Sequence, residues 1–203
     1  MLRCINARFG LGATSAMLVA CSLPTRHAPQ CRLFRSRLPN ASMCLIALAW
    51  RTHPRYRLIL AANRDEFHAR PTLPLAAWAG EPAIVGGRDA LHGGSWLAVR
   101  GQRLAAVTNV RRLPGQEGRS RGELVADFVR GDADTTAALH ALAIADTRYR
   151  LFNLLVHDGD TLAFATNRVE ADNAAGIAMR TLTPGIHGIS NGALDAPWRK
   201  QTC

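Results

Sequence analysis

The stretch MCLIALAWRTHPRYRLILAANRDE, Met43 to Glu66, decides how this chain is read. CLIALAW (Cys44 to Trp50) is an uncharged apolar run, and YRLILAANRDE (Tyr56 to Glu66) is a second one that ends in Asn63, Arg64, Asp65 and Glu66. Apolar runs this short, bounded by turn residues, read as buried strands. The spacer RTHPR between them has the length and the proline of a hairpin connection. Pairing them antiparallel sets the start of the first strand, at Cys44, beside the polar end of the second.

The same pattern continues outward. A stretch rich in Pro and Gly (Pro71, Pro74, Gly80, Pro82, Gly86, Gly87, Gly93, Gly94) reads as a loop. SWLAVR and RLAAVTNV then form a hairpin around Gly101. Ser120 is an N-cap for a helix through Val129, and Asp134 caps a second helix through about Ala145. Leu124, Val125, Phe128 and Val129, then Leu139, Leu142 and Ala143, give each helix one apolar face. LFNLLVH and TLAFATN return as strands joined at Asp158-Gly159, a type I′ signal, and GIHGISNG is a short last strand. About seven strands and two helices, with hairpins dominating, predict an α+β fold of largely antiparallel sheets packed on helices. WRKQTC stops in mid-pattern, so the domain at 43–203 is expected to be incomplete at its C-terminus.

Charge and composition narrow the function classes. The chain has 203 residues, 48% of them hydrophobic, which is enough for one domain with a packed core. Its net charge of +10 is uneven. Six arginines (Arg3, Arg8, Arg26, Arg32, Arg35, Arg37) and no acid lie in residues 1–42, so the body carries only +4. No aromatic-interleaved basic stripe exists, and nucleic acid is not an expected partner. The cysteines (Cys4, Cys21, Cys31, Cys44, Cys203) and seven histidines form no metal-spaced set, so no metal is expected. No apolar run is long enough to span a bilayer.

Residues 1–42 allow three readings. The Arg-rich, acid-free composition resembles a transit peptide, and Phe9 to Ala20 followed by Cys21 resembles a lipoprotein signal. The third reading is an unpacked extension ahead of a true start at Met43, and this is the one adopted, with a cytoplasmic protein as its consequence. The chemistry of Cys44 is the reason. Removal of Met43 leaves Cys44 with a free α-amine, whose pKa near 8 lets it take the thiol proton. The thiolate then attacks an acyl carbon. Arg64 would lower the thiol pKa, Asp65 would hold the ammonium group, and Asn109 and Asn191 would donate to the oxyanion. Against this, a lone buried cysteine is commonly core packing and an Asn-Gly pair commonly a turn.

These residues resemble a known family. MCLIALAW, YRLILAANRDEFHARP, GGSWLAV, LAAVTN, SRGELVADFV, FNLLV and GISNGALDAPWRK resemble, in order, the blocks of the NRDE family. This is the family of transport and Golgi organization protein 2, named for a tetrad that stands here as Asn63 to Glu66. The resemblance covers Met43 to Lys200 and implies a start at Met-Cys, an N-terminal-nucleophile hydrolase-like αββα sandwich, and further chain beyond PWRK. In the wider superfamily, bile-salt hydrolases and penicillin V acylases use an N-terminal Cys, Arg, Asp and later Asn donors. Cys44, Arg64, Asp65, Asn109 and Asn191 hold similar places in order, although that group reads Arg-Asn-x-Asp where this chain reads Asn-Arg-Asp. The resemblance implies a cysteine hydrolase of linear amides working on a small-molecule substrate without a cofactor. It also implies an alternative of another class: a carrier of haem, acyl-CoA or lipid in the same cleft.

Overall fold

The computed structural model describes the backbone of residues 3–11 and 14–22 and, with side chains, residues 44–64, 66, 70–110, 117–145, 147–168 and 176–196. The elements run β1 (Arg3–Leu11), β2 (Thr14–Ser22), β3 (Leu45–Trp50), β4 (Tyr56–Asn63), β5 (Thr72–Trp78), β6 (Glu81–Asp89), β7 (Leu97–Arg100) and β8 (Arg103–Asn109). They continue as α1 (Arg121–Arg130), α2 (Thr135–Ile144), β9 (Phe152–His157), β10 (Leu162–Thr166), β11 (Ala178–Thr181) and β12 (Gly185–Ile189). One sheet has the order β1-β2-β4-β3-β12 and the other β11-β10-β9-β8-β7-β6-β5. Every ladder is antiparallel except β2 with β4. The fold is α+β, as the hairpin-rich pattern requires.

Strand alternation builds the layers. From the first sheet, Ile46, Leu48 and Trp50 of β3 meet Leu58, Leu60 and Ala62 of β4 and Ile189 of β12 in one core. Leu97, Val99, Leu104, Ala106, Leu155, Leu162 and Phe164 enter the same core from the second sheet. The intervening residues of the second sheet (Ala98, Ala105, Val107, Leu154, Val156, Ala163 and Ala165) point the other way, into a second core with α1 and α2. The second sheet is therefore covered on both faces, and this is why β9 and β10 read as continuous apolar runs. The outer face of the first sheet bears small or exposed residues such as Ala47, Ala61 and Ile186, the last 82% exposed.

Both helices begin where their caps predict. Ser120 and Glu123 close a reciprocal capping box on α1, and Asp134 accepts from Ala137 N at 2.8 Å on α2. Arginines from the β7–β8 hairpin hold the C-terminal carbonyls of α1. Arg100 donates to Val129 O and Gly131 O at 2.6 Å, and Arg103 donates to Phe128 O at 3.1 and 3.2 Å. Cations suit this negative end of the helix dipole.

Two local expectations are corrected. Most of the Pro- and Gly-rich stretch after Pro71 is no loop but the β5–β6 hairpin at the edge of the second sheet, and only its end, with Gly93 and Gly94, is a turn. Prolines fit there because β5 is an edge strand and the register shifts between Leu73 and Ala76 and between Ala77 and Trp78, leaving Pro74 and Pro82 outside regular pairs. The glycines permit close approach: a Cβ on Gly86 would lie 2.7 Å from Leu97 O. The second correction is the Asp158-Gly159 turn. His157 pairs with Leu162, so the loop has four residues, 158–161, and only Gly159 has positive φ, at 113°. A type I′ turn needs positive φ at both central residues. The Asp158 carboxylate organises this loop instead. Its Oδ1 accepts from Asp160 N at 3.0 Å and Thr161 N at 2.8 Å, and its Oδ2 accepts from Thr135 N, at the start of α2, at 2.8 Å.

That arrangement has a pH signature. Burial pushes the Asp158 carboxyl up, but the amides of Thr161, Thr135 and Asp160 together outweigh it and hold the group at about 2. Its ordinary value is 3.8, so the contribution to stability is complete above about pH 4 and is lost as pH falls through about 2. Asp158→Asn is expected to lower stability at neutral pH by about 1 kcal/mol. Thermal melts of the two proteins should converge as pH is lowered from 4 toward 2; a constant difference across that range refutes the assignment.

Candidate active site

Cys44 stands just before β3, the strand between β4 and β12. Its backbone N–H donates to Asn191 Oδ1 at 3.1 Å, and Asn191 Nδ2 donates to Asn109 O at 2.7 Å. Asn191 follows β12 of the first sheet and Asn109 ends β8 of the second. One side-chain amide thus ties the residue ahead of β3 to both sheets at the same end of the sandwich.

The loop that carries Asn191 is fixed from below. Asn153, 1% exposed, donates to Ser190 O at 3.0 Å and Gly192 O at 2.7 Å, and Thr108 Oγ1 donates to Ser190 O at 2.6 Å. Thr166 Oγ1 donates in turn to Asn153 Oδ1 at 2.9 Å. Both carbonyls that flank Asn191 are therefore held, and its amide has a defined orientation.

A cavity of about 70 Å³ opens beside Cys44 and is lined by Asn63, Arg64, Glu66, Asn109 and Arg121, among others. The sequence-derived residues Cys44, Arg64 and Asn109 and the tetrad residues Asn63 and Glu66 thus meet in one cleft. Asn191 stands behind Cys44 and does not line the cavity. Asp65 lies outside the described residues. Arg64 sits in a rim network. It donates to Thr72 Oγ1 at 3.0 Å and lies 3.5 Å from Glu66 Oε2, which is 3.7 Å from Arg70 Nε. Arg70 binds Asp89 Oδ2 at 2.5 and 3.1 Å. Burial pushes the Asp89 carboxyl up, but the Arg70 hydrogen bond and the amides of Leu91 and His92 bring it below its ordinary value. Among the described residues, no group of three His, Cys, Asp or Glu is placed to hold a metal ion, and no helix is long and apolar enough to cross a membrane.

Arg121 is the cleft residue that pattern reading passes over. It opens α1, and the approach of that helix is set by glycines. A Cβ on Gly94 would fall 2.5 Å from Gly122 C, and one on Gly122 would fall 3.0 Å from Ser95 N. Ser95 N donates to Gly122 O at 3.1 Å. The first turn of α1 therefore lies directly on the Gly94–Ser95 backbone and delivers Arg121 to the cavity. Its guanidinium feels burial first and the like charge of Arg150 second, both lowering its pKa, while Glu66 and the Cys44 sulfur oppose them. A signal for it existed in the sequence, because a cation at the first position of a helix works against the macrodipole.

A model of the family described as Transport and Golgi organisation 2 matches residues 43–203. The chain is 38% identical over 173 residues to the Transport and Golgi organization protein 2 homolog of Homo sapiens, covering 78% of this chain and 60% of that relative. It is 37% identical over 174 residues to the Transport and Golgi organization 2 homolog of Mus musculus, with the same coverage. To the Drosophila melanogaster Transport and Golgi organization protein 2 it is 35% identical over 127 residues, 56% of this chain and 45% of that one. The chain thus spans 60% of the length of the two mammalian relatives.

The glycine contact is testable. Gly94→Ala places a methyl group against backbone that cannot rotate away, so the start of α1 must shift. The expected loss is roughly 2 kcal/mol of stability. Faster amide hydrogen exchange in the first turn of α1 than in α2 should accompany it, and an unchanged melting temperature would remove this contact from the account of the site.

Proposed function

The chain belongs to the Transport and Golgi organisation 2 family, and from that premise we propose that the Cys44 cleft is the active site of a cysteine hydrolase acting on linear amide bonds. The observation that carries the proposal is the hydrogen bond from Cys44 N to Asn191 Oδ1. It holds the nitrogen that must serve as base, in a cleft between two sheets, beside the thiol that must serve as nucleophile. The helix–sheet–sheet stack is compatible with three layers of an αββα N-terminal-nucleophile sandwich.

In this mechanism the chain is processed so that Cys44 is N-terminal. Its α-amine accepts the Sγ proton, and the thiolate adds to the amide carbon. The tetrahedral oxyanion is received by the side chain of Asn109, a residue of the cavity lining. The C–N bond then breaks, the ammonium group returns its proton to the departing nitrogen, and a thioester remains on Cys44. Water attacks the thioester with the same amine as base, releasing a carboxylic acid and restoring the thiol. Asn191 is assigned to hold the α-amine, because its own N–H already donates to Asn109 O. Asp65 keeps its sequence-derived role of orienting that amine, and Arg64 contributes positive potential from the rim.

The test compares three proteins: one beginning at Cys44, one retaining a blocked residue ahead of Cys44, and Cys44→Ala. Intact mass during incubation with a panel of acyl amides should show an acyl adduct on Cys44 only in the first. The blocked protein should lose turnover by at least about 100-fold, the usual worth of a general base. Turnover surviving Cys44→Ala sinks the proposal. Ligand binding that survives Cys44→Ala, with no acyl adduct in any protein, identifies a carrier instead.

A further inference from the structure

Three arginines line the cavity beside Cys44, and they differ in state. Arg64 is engaged by Thr72 and Glu66, and Arg70 by Asp89 and Glu66. Arg121 donates Nη1 to Leu151 O at 3.2 Å, and no described carboxylate lies within ion-pair distance of it. A guanidinium offers five N–H donors in a planar fork that matches a carboxylate. Most of those donors have no acceptor among the described residues. A part-buried cation with no carboxylate in contact, and only the longer-range field of Glu66 opposing its burial, is incompletely compensated, so the site is at its most favourable when something in the cavity supplies negative charge.

A further observation points to the ligand. Arg121 occupies the first position of α1, where the helix dipole disfavours a cation, while the rest of that helix obeys the rule with Glu123 in its first turn and Arg130 in its last. A locally unfavourable choice inside an otherwise consistent element is a mark of function. The cavity beside Cys44, at about 70 Å³, has room for roughly five waters, enough for a carboxylate next to the thiol.

We infer that the cleft recognises amides carrying a free carboxylate close to the scissile bond, with Arg121 binding the carboxylate. The scissile bond rests on the hydrolase reading above; the anion site itself rests on Arg121. A neutral amide leaves Arg121 without an anion and is the substrate this cleft discriminates against. Arg121 acts here on specificity, by placing one end of the substrate while Cys44 meets the other.

Iodoacetate and iodoacetamide separate the anion site from the chemistry, because they have nearly the same size and differ in a carboxylate against a carboxamide. The full chain is treated with each, and the rate of modification is read on the Cys44 peptide by mass spectrometry, relative to the same ratio on free cysteine. Cys44 is expected to favour iodoacetate by about tenfold, the worth of one charge-assisted hydrogen-bonded contact. Arg121→Gln should return the ratio to that of free cysteine, and Arg121→Lys should keep part of the preference. A change in thiol acidity or a general loosening of the site alters both rates together and leaves the ratio unmoved. A ratio equal to that of free cysteine in the unaltered protein, or one unchanged in folded Arg121→Gln, overturns the inference. A preference that depends on Arg121, in a protein that never forms an acyl adduct, upholds the anion site and removes the hydrolase reading alone.

Discussion

The arrangement of the cleft depends on one side chain. Asn191 accepts from Cys44 N and donates to Asn109 O, so a single amide fixes the start of β3 relative to the end of β8. The inter-sheet core cannot set this relation with the same precision, because apolar packing is non-directional and tolerates sliding. Directional hydrogen bonds do not. Asn153 serves the same end by holding the carbonyls on either side of Asn191, and as a buried polar group it is fully engaged, with Thr166 satisfying its own oxygen.

The wall opposite is set by α1, and each end of that helix is held by different physics. At the C-terminus Arg100 and Arg103 take up free carbonyls, and Arg130 forms a two-point contact with Glu81 at the start of β6. At the N-terminus Gly94 and Gly122 allow backbone to touch backbone. The helix is therefore clamped along its length, and the position of Arg121 follows from that clamp. The electrostatics of the cleft then divide between a rim whose charges neutralise one another, from Arg64 through Glu66 and Arg70 to Asp89, and a more buried cation, Arg121, in the cavity wall. Rim pairs of this kind contribute little to stability but shape the potential that a ligand meets.

Much of the fold was legible in the chain. The β3–β4 and β7–β8 hairpins and the boundaries of α1 and α2 follow from local chemistry: short apolar runs, a turn glycine, and Ser120 and Asp134 as caps. The β5–β6 hairpin was hidden, because prolines and glycines break strands everywhere except at edges, bulges and points of close approach, and sequence does not say which strand is an edge. The Asp158 loop was misjudged for a related reason. A carboxylate with three amide partners, one of them on α2, outweighed the local preference for a two-residue turn.

By itself the sequence determined the α+β class, the family, and the placing of Cys44, Asn63, Arg64, Glu66 and Asn109 at or just beyond the ends of strands. Periodicity, caps and the places where strands end are properties of neighbouring residues and need no knowledge of distant ones. Tertiary structure alone decided that Asn191 faces the Cys44 nitrogen and not the cavity, that Arg64 is spent on Glu66, and that Arg121, some eighty positions along the chain from Cys44, shares its chamber. Those outcomes turn on how sheets and helix stack and on which polar groups find partners first, and both are set by contacts between residues far apart in the chain.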